Sequence, residues 1–184
     1  LILGEAELVS ECIAGKKHAQ ALLFDKYYEE CYAIAMRYLS VHQDAQDVVV
    51  KAFTRIFNNL SKFERRGNGS LGRWIRTILI NEALRLLRKR KITYDLDDSD
   101  NYLEIKSSAA DAVQQMSAED ISQLIEKLPT GYRTVFNLFA VEGYSHAEIA
   151  ELLGITASTS KTQLRKARHH LMSQLNKEEA YGTI

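Results

Sequence analysis

The chain has 184 residues, 46% hydrophobic and 26% charged, with 24 Lys+Arg offset by 24 Asp+Glu. This is the composition of an ordinary globular protein; it excludes a disordered or collagen-like chain, and the length admits one large domain or two small ones. No stretch approaches the ~18 uncharged apolar residues of a membrane span, and Cys12 and Cys31 are too few for a disulfide scaffold and lack metal-ligand spacing, which fits a reducing cytosol.

At the N-terminus Glu5, Glu7 and Glu11 break any signal-peptide pattern. The chain starts on Leu1 rather than Met, so native residues are expected ahead of it. Leu8, Val9, Ile13, Leu22, Leu23 and Phe24 predict helix with a break near Gly15, and Tyr27, Tyr28, Cys31, Ile34, Ala35, Tyr38 and Leu39 continue it at helical spacing. After a polar break at 40–43, Asp44 opens a helix through Val48, Ala52, Phe53, Ile56, Phe57 and Leu60. Residues 61–70, SKFERRGNGS, read as a loop. Ser70 is placed to cap a helix carrying Trp74, Ile75, Ile78, Leu79, Leu84 and Leu87.

Charge is unevenly spread along this order. Residues 1–93 hold 16 Lys/Arg and 10 Asp/Glu, residues 94–120 one Lys and eight acids, and residues 121–184 seven basic and six acidic side chains. A basic block, an acidic segment and a near-neutral block point to a polyanion partner that the zero average conceals. Arg85, Arg88, Lys89, Arg90 and Lys91 put five cations in seven residues, and Lys161, Arg165, Lys166 and Arg168 form a second group, followed by His169 and His170. The alternative is a pair of solvated helix faces. The acidic segment, with Asp95, Asp97, Asp98 and Asp100, has the composition of a flexible linker, with a short helix expected near 109–116. The predicted fold is all-α: two small helical domains, 1–93 and 121–176, joined by an acidic linker, 94–120, and followed by a tail, 177–184.

Order resumes with Ile121, Leu124, Ile125 and Leu128, and Pro129 separates two helices. Val135, Phe136, Leu138 and Phe139 give one buried face, and Gly143 stops that helix. Ser145-His146-Ala147-Glu148 is a capping box opening a short helix with Ile149, Ala150, Leu152 and Leu153 inward. Gly154 suits a left-handed turn, and Thr156 caps the next helix. That helix turns Leu164, Ala167, Leu171 and Leu175 inward and offers Ser158, Thr159, Lys161, Thr162, Arg165, Lys166 and Arg168 on the other face. Two helices across a glycine turn, the second basic and rich in hydroxyls, make a helix-turn-helix suited to the major groove. Ser, Thr, Lys and Arg there can reach base edges and phosphates.

The segment LPTGYRTVFNLFAVEGYSHAEIAELLGITASTSKTQLRKARHHL, with DAQDVVVKAF and WIRTILINEALRLLRKRK ahead of it, resembles the extracytoplasmic-function sigma factors, the two-domain specificity subunits of bacterial RNA polymerase. The resemblance covers about 44–91 and 123–171, and the phrase around GYSHAEIAELLGIT is similar to that of Bacteroidota members. It implies a first domain that binds core polymerase and melts the minus-ten element, and a second that reads the minus-thirty-five element. It places Asp44, Asp47, Val48, Lys51 and Phe53 on the helix that docks on the clamp coiled coil of the largest core subunit. Val50-Lys51 stands where the family usually has Gln-Glu. On the residues alone, Asp44 and Asp47 are acids stabilised by a helix N-terminus.

Melting requires one strand to be held single-stranded by pockets for bases and cations for phosphates. The resemblance assigns Phe63 and Asn81 to a flipped-out base and Arg73, Arg76, Arg85, Arg88 and Lys89 to phosphates. Trp74 reads either as a stacking platform or, as its place in the family pattern suggests, as core; the alternative for Asn81 is a satisfied polar position on a helix. Ala157-Ser158-Thr159 replaces the Glu-Gly that often precedes Thr in the family, removing one close backbone approach to DNA. Core polymerase (beta and beta-prime subunits), promoter DNA and an anti-sigma factor are the implied partners, in the cytoplasm and without membrane insertion.

No catalytic constellation, cofactor motif or metal site is expected: His18, His42, His146, His169 and His170 are scattered, and the acids at 95–100 lack the EF-hand order. His146 reads as a surface helix residue. A different helix-turn-helix regulator would share the C-terminal hairpin, but a receiver domain would need alternating strands and helices. An all-helical adaptor with merely solvated basic faces would leave the coincidence of both cation groups with the two motifs unexplained. With zero net charge and an acidic linker, the free chain is expected to bind DNA weakly.

Overall fold

The computed structural model describes residues 4–67, 69–90 and 118–181, with side chains described for 122–175 of the last stretch. The chain divides into two compact units, Leu1–Lys89 and Arg90–Ile184, and among the described residues every regular element is helical. The acidic residues 94–117 and the short helix expected near 109–116 lie outside the described residues.

The first unit contains α1 (Glu5–Ile13), α2 (Lys17–Leu39), α3 (His42–Asn59), a 3-10 turn (Leu60–Lys62) and α4 (Ser70–Lys89). Gly15, at φ +75°, makes the expected break between α1 and α2. α3 begins two residues before Asp44, which sits in its first turn, where a carboxylate meets the positive end of the helix dipole. α2, α3 and α4 pack on one another. Leu23, Tyr38, Ile56, Leu71, Ile75, Leu79 and Leu84 are buried almost completely between them, each aliphatic side chain contributing about 1.5–3 kcal/mol on leaving water. Leu71, Ile75, Leu79, Ala83 and Leu87 recur every fourth residue, so one row of α4 supplies five of its nine buried positions.

Beside this core, Phe24, Tyr28 and Tyr32 form a half-buried row along α2. Phe24 meets Phe53 at a centroid distance of 4.6 Å, and Tyr32 stacks on His42 with Oη 2.6 Å from Nδ1. The row ties α2 to both ends of α3. Ser70 differs from its expected role as a cap. It is the first residue of α4, and its hydroxyl donates to the Gly67 carbonyl at 2.8 Å and accepts from the Arg66 N–H at 3.3 Å. It closes the preceding loop.

The second unit contains α5 (Ala118–Glu126), α6 (Thr130–Phe136), a π-helical turn (Asn137–Val141), α7 (His146–Leu153) and α8 (Ala157–Tyr181). Pro129 is the N-cap of α6, and Gly143 takes φ +79° after the π turn. Leu128, Tyr132 and Ala167 form a core against which Phe136 and Leu171 pack. Arg133, only 5% exposed, is a core element that periodicity does not reveal. Its Nη1 donates to the carbonyl oxygens of Glu126 at 2.6 Å and Leu128 at 3.3 Å, satisfying acceptors left over at the end of α5. Burial lowers its pKa, opposed by Glu126.

The helix-turn-helix forms as its sequence predicts. The Ser145 hydroxyl accepts from the Glu148 N–H at 3.3 Å, while Glu148 Oε2 accepts from the Ser145 N–H at 2.8 Å and from its hydroxyl at 2.7 Å. The hydroxyl and backbone hydrogen bonds from Ser145 hold the Glu148 pKa below its ordinary value. Gly154 is left-handed at φ +68°, and Thr156 Oγ1 accepts from the Thr159 N–H at 3.0 Å. His146 bridges the two helices: its ring stacks on Phe139 at 4.5 Å, and Nδ1 lies 2.9 Å from Ser160 Oγ. Desolvation, then Lys161 and Arg168, lower its pKa.

Two outcomes follow. Arg133→Met deprives two carbonyls of a charge-assisted donor and should destabilise the second unit by about 2–3 kcal/mol, read as faster amide exchange across 130–141; unchanged exchange would contradict the role given to Arg133. Because folding favours neutral His146, its contribution is fully present above the ordinary imidazole value near 6.5 and is lost as pH falls through it toward the lower folded value. Stability of the second unit should therefore drop between pH 7.5 and 5.5, by less in His146→Gln; equal drops in both proteins would show that another group titrates.

Candidate nucleic-acid interface

At about 100° per residue, Arg73, Trp74, Asn81, Arg85, Arg88 and Lys89 fall within an arc of about 160° on α4, on the side away from its buried row. All but half-exposed Trp74 are exposed. Arg76 lies outside this arc, and its Nη1 is 3.8 Å from Glu30 Oε1 on α2. The structure therefore brings together every α4 residue expected at a nucleic-acid contact except Arg76.

Trp74 divides two clefts. On one side it meets Phe63 at a centroid distance of 5.4 Å and 47°. The pair borders a cleft of about 530 Å³ rimmed by Lys62, Arg66 and Arg73. Gly67 and Gly69 both take positive φ, +107° and +72°, which glycine adopts without steric cost, as the loop turns from Phe63 back to α4. On the other side a cleft of about 290 Å³ is lined by Asn81, Asn59, Lys62, Trp74 and Arg55. Trp74 is half-exposed, so it does not take the core position that its place in the family pattern suggests. Aromatic faces with flanking cations and an amide are the chemistry that holds unstacked bases.

Between the clefts and α3 lies a feature absent from the sequence expectations. Glu82, with a side chain 7% exposed, places Oε1 2.6 Å from Arg55 Nε. A buried carboxylate demands such a partner, and this one joins α3 to α4 beside Asn81. Arg55 is marked in the sequence only by its position on α3, with nothing to pair it with Glu82.

The expected contact helix, α3, is sorted more sharply than its motif suggested. Asp47 and Lys51 are exposed, and Asp44 is half-buried. Val48 and Phe53, at 1% and 2% exposure, belong to the core instead of the surface: they stand at the two edges of the buried face of α3, with Ala45, Val49, Ala52 and Ile56 between them. Val50, 59% exposed, takes a surface position in their place.

On α8, Ser158, Lys161, Arg165 and Arg168 are exposed and Thr162 is half-exposed; the four exposed residues span an arc of about 80°. Thr159 and Lys166 were expected on this face but are 7% and 3% exposed. They stand about 80–100° from Ser158 around the helix, and the Thr159 hydroxyl lies 2.8 Å from Thr156 Oγ1 within the cap. Ser160 and Gln163, both fully buried, occupy inward positions that the apolar pattern did not mark. The exposed face is strongly cationic, and Lys161 and Arg168 from it act on His146 behind.

Among the described residues no group of three or more His, Cys, Asp or Glu converges as metal ligands would. Burial pushes the Cys31 thiol up to about 12 and raises Cys12 as well, which keeps both protonated and poor as ligands or nucleophiles.

Comparison with known proteins gives two family matches: Sigma-70 region 2 over residues 23–92 and Sigma-70, region 4 over residues 118–171. The chain is 31% identical over 172 residues to the ECF RNA polymerase sigma factor SigW of Bacillus subtilis, covering 88% of this chain and 91% of that one. It is 27% identical over 175 residues to the RNA polymerase sigma-H factor of Pseudomonas aeruginosa, covering 89% and 90%. Among solved structures, the sigma factor RpoE in complex with the anti-sigma factor NepR from Bartonella quintana matches with a TM-score of 0.49 at 21% identity, over 85% of this chain and 96% of that one. Two sigma regions in order, and a relative matched over nearly its whole length, place the chain in the family of extracytoplasmic-function RNA polymerase sigma factors.

Proposed function

We propose that the chain is an alternative sigma factor whose first domain, 1–93, binds core RNA polymerase and opens the minus-ten region while its second, 121–176, anchors the minus-thirty-five element. Segment 94–120 is the acidic connector. The observation that carries this reading is the Phe63–Trp74 pair, set among cations on one side and beside Asn81 on the other. A duplex-binding protein has no need of an aromatic cleft at this place, whereas a strand-opening one must hold unstacked bases.

In this reading Phe63 and Asn81, in the clefts on either side of Trp74, hold bases of the opened strand, and Arg73, Arg85, Arg88 and Lys89 hold phosphates. Asp44 and Asp47 on α3 meet the polymerase clamp. On α8, Ser158, Lys161, Thr162, Arg165 and Arg168 enter the major groove, the N-terminal residues toward base edges and the others toward the backbone. Polymerase supplies the chemistry, and this subunit supplies specificity. Tethering two modest DNA binders raises their effective concentration for each other when the connector spans their sites. The site of action is the cytoplasm, and an anti-sigma factor is the regulatory partner. No helix among the described residues is long and apolar enough to cross a membrane.

Lys161→Ala or Arg165→Ala should weaken recognition of the upstream element, by about 1–3 kcal/mol where the contact is to a base edge; unchanged promoter selectivity in both would remove them from the reading surface. Asn81→Ala, an exposed change, should leave assembly with core polymerase intact and reduce permanganate reactivity of the opened strand. Equal reactivity in wild type and variant would take Asn81 out of strand capture.

A further inference from the structure

Lys51 of α3 and Arg85 and Lys89 of α4 line one groove of the first unit, about 420 Å³, over a floor of Val48, Leu86 and Glu82. All three cations are exposed, and none has an ion-pair partner among the described residues. The one acid in the groove, Glu82, is engaged by Arg55 at 2.6 Å, so it does not neutralise them. Sequence resemblance places Lys51 with the polymerase-docking residues of α3. The folded chain places it with two members of the cation row on α4.

We propose that Lys51 contacts a DNA backbone phosphate and extends the α4 phosphate row onto α3. The inference rests on the sigma-factor reading of α4 and adds to it a residue on a different helix. The composition of the groove favours nucleic acid over an acidic protein segment. Protein interfaces concentrate aromatic anchors and deplete Lys at their centres, and no aromatic residue lines this groove. Arg85 and Lys89, four residues apart, stand one above the other about 6 Å along the helix. Lys51 faces them across the groove, so an extended polyanion lying along α4 would pass between cations on both sides. Such contacts carry no sequence information and fix the register of the strand.

The experiment measures the affinity of reconstituted holoenzyme for a promoter duplex at several salt concentrations, with wild type, Lys51→Ala and Lys51→Arg, and in parallel the affinity of each chain for core polymerase. Each phosphate neutralised contributes about 0.9 to the slope of log affinity against log salt on duplex and about 0.7 on a single strand. Lys51→Ala should lose that increment, Lys51→Arg should keep it, and core affinity should be the same in all three. A slope unchanged in Lys51→Ala, with weakened core binding, would overturn the proposal in favour of an acidic surface on polymerase. A slope and core affinity both unchanged would overturn it in favour of a solvated lysine. Wild-type holoenzyme that forms no promoter complex would overturn the sigma-factor reading together with it.

Discussion

Glu82 and Arg55 meet at 2.6 Å on the seam between α3 and α4, and the organisation of the first unit follows from what that contact requires. A carboxylate removed from water is tolerated when a cation and good geometry compensate it, so α3 and α4 are held in one register. Asn81 and Arg85, one residue before and three after Glu82, stand about 40° apart around the helix, and both are exposed beside the buried acid. The cleft beside Asn81 and the groove beside Arg85 both have Glu82 in their lining. One ion pair, its acid buried and its arginine half-exposed, thus borders two surfaces, and it engages an acid that would otherwise offset the cations beside it.

The second unit solves a similar problem with hydrogen bonds. A recognition helix is useful only at a fixed angle to its supporting helix. Here the capping box, the left-handed Gly154, the Thr156 cap and the His146–Ser160 contact act within a short stretch of chain. Arg133 seals the end of α5. With the polar groups of the turn engaged with one another, the exposed arc of α8 is left to Ser158, Lys161, Arg165 and Arg168. The zero net charge of the chain is compatible with this because opposite charges are separated along the sequence, with cations gathered on two helices.

Much of this was legible in the residues. The helix-turn-helix could be read because its signals are local: a capping box and a glycine set backbone geometry within a few positions, and the apolar rows have helical period. The differences between sequence and structure share one physical origin. A motif lists residues that recur together without separating those that pack from those that touch a partner, so Val48 and Phe53 carry the motif while supplying only the underside of its surface. Thr159 and Lys166 are polar and so read as outward, yet one is drawn into the cap and the other lies toward the buried side of α8. Arg133, Gln163 and the Arg55–Glu82 pair leave no periodic signature, since a buried polar residue looks the same in sequence as an exposed one. Trp74 shows the reverse: a large aromatic expected by its position to be core stands half-exposed between two clefts.

A sigma factor confers promoter specificity on a polymerase that lacks it. Run-off transcription with purified core RNA polymerase on a genomic template library, with and without the chain, reads that property. Discrete transcripts that start at defined sites should appear only when the chain is added. Identical transcript sets with and without it would show that the chain confers no promoter specificity.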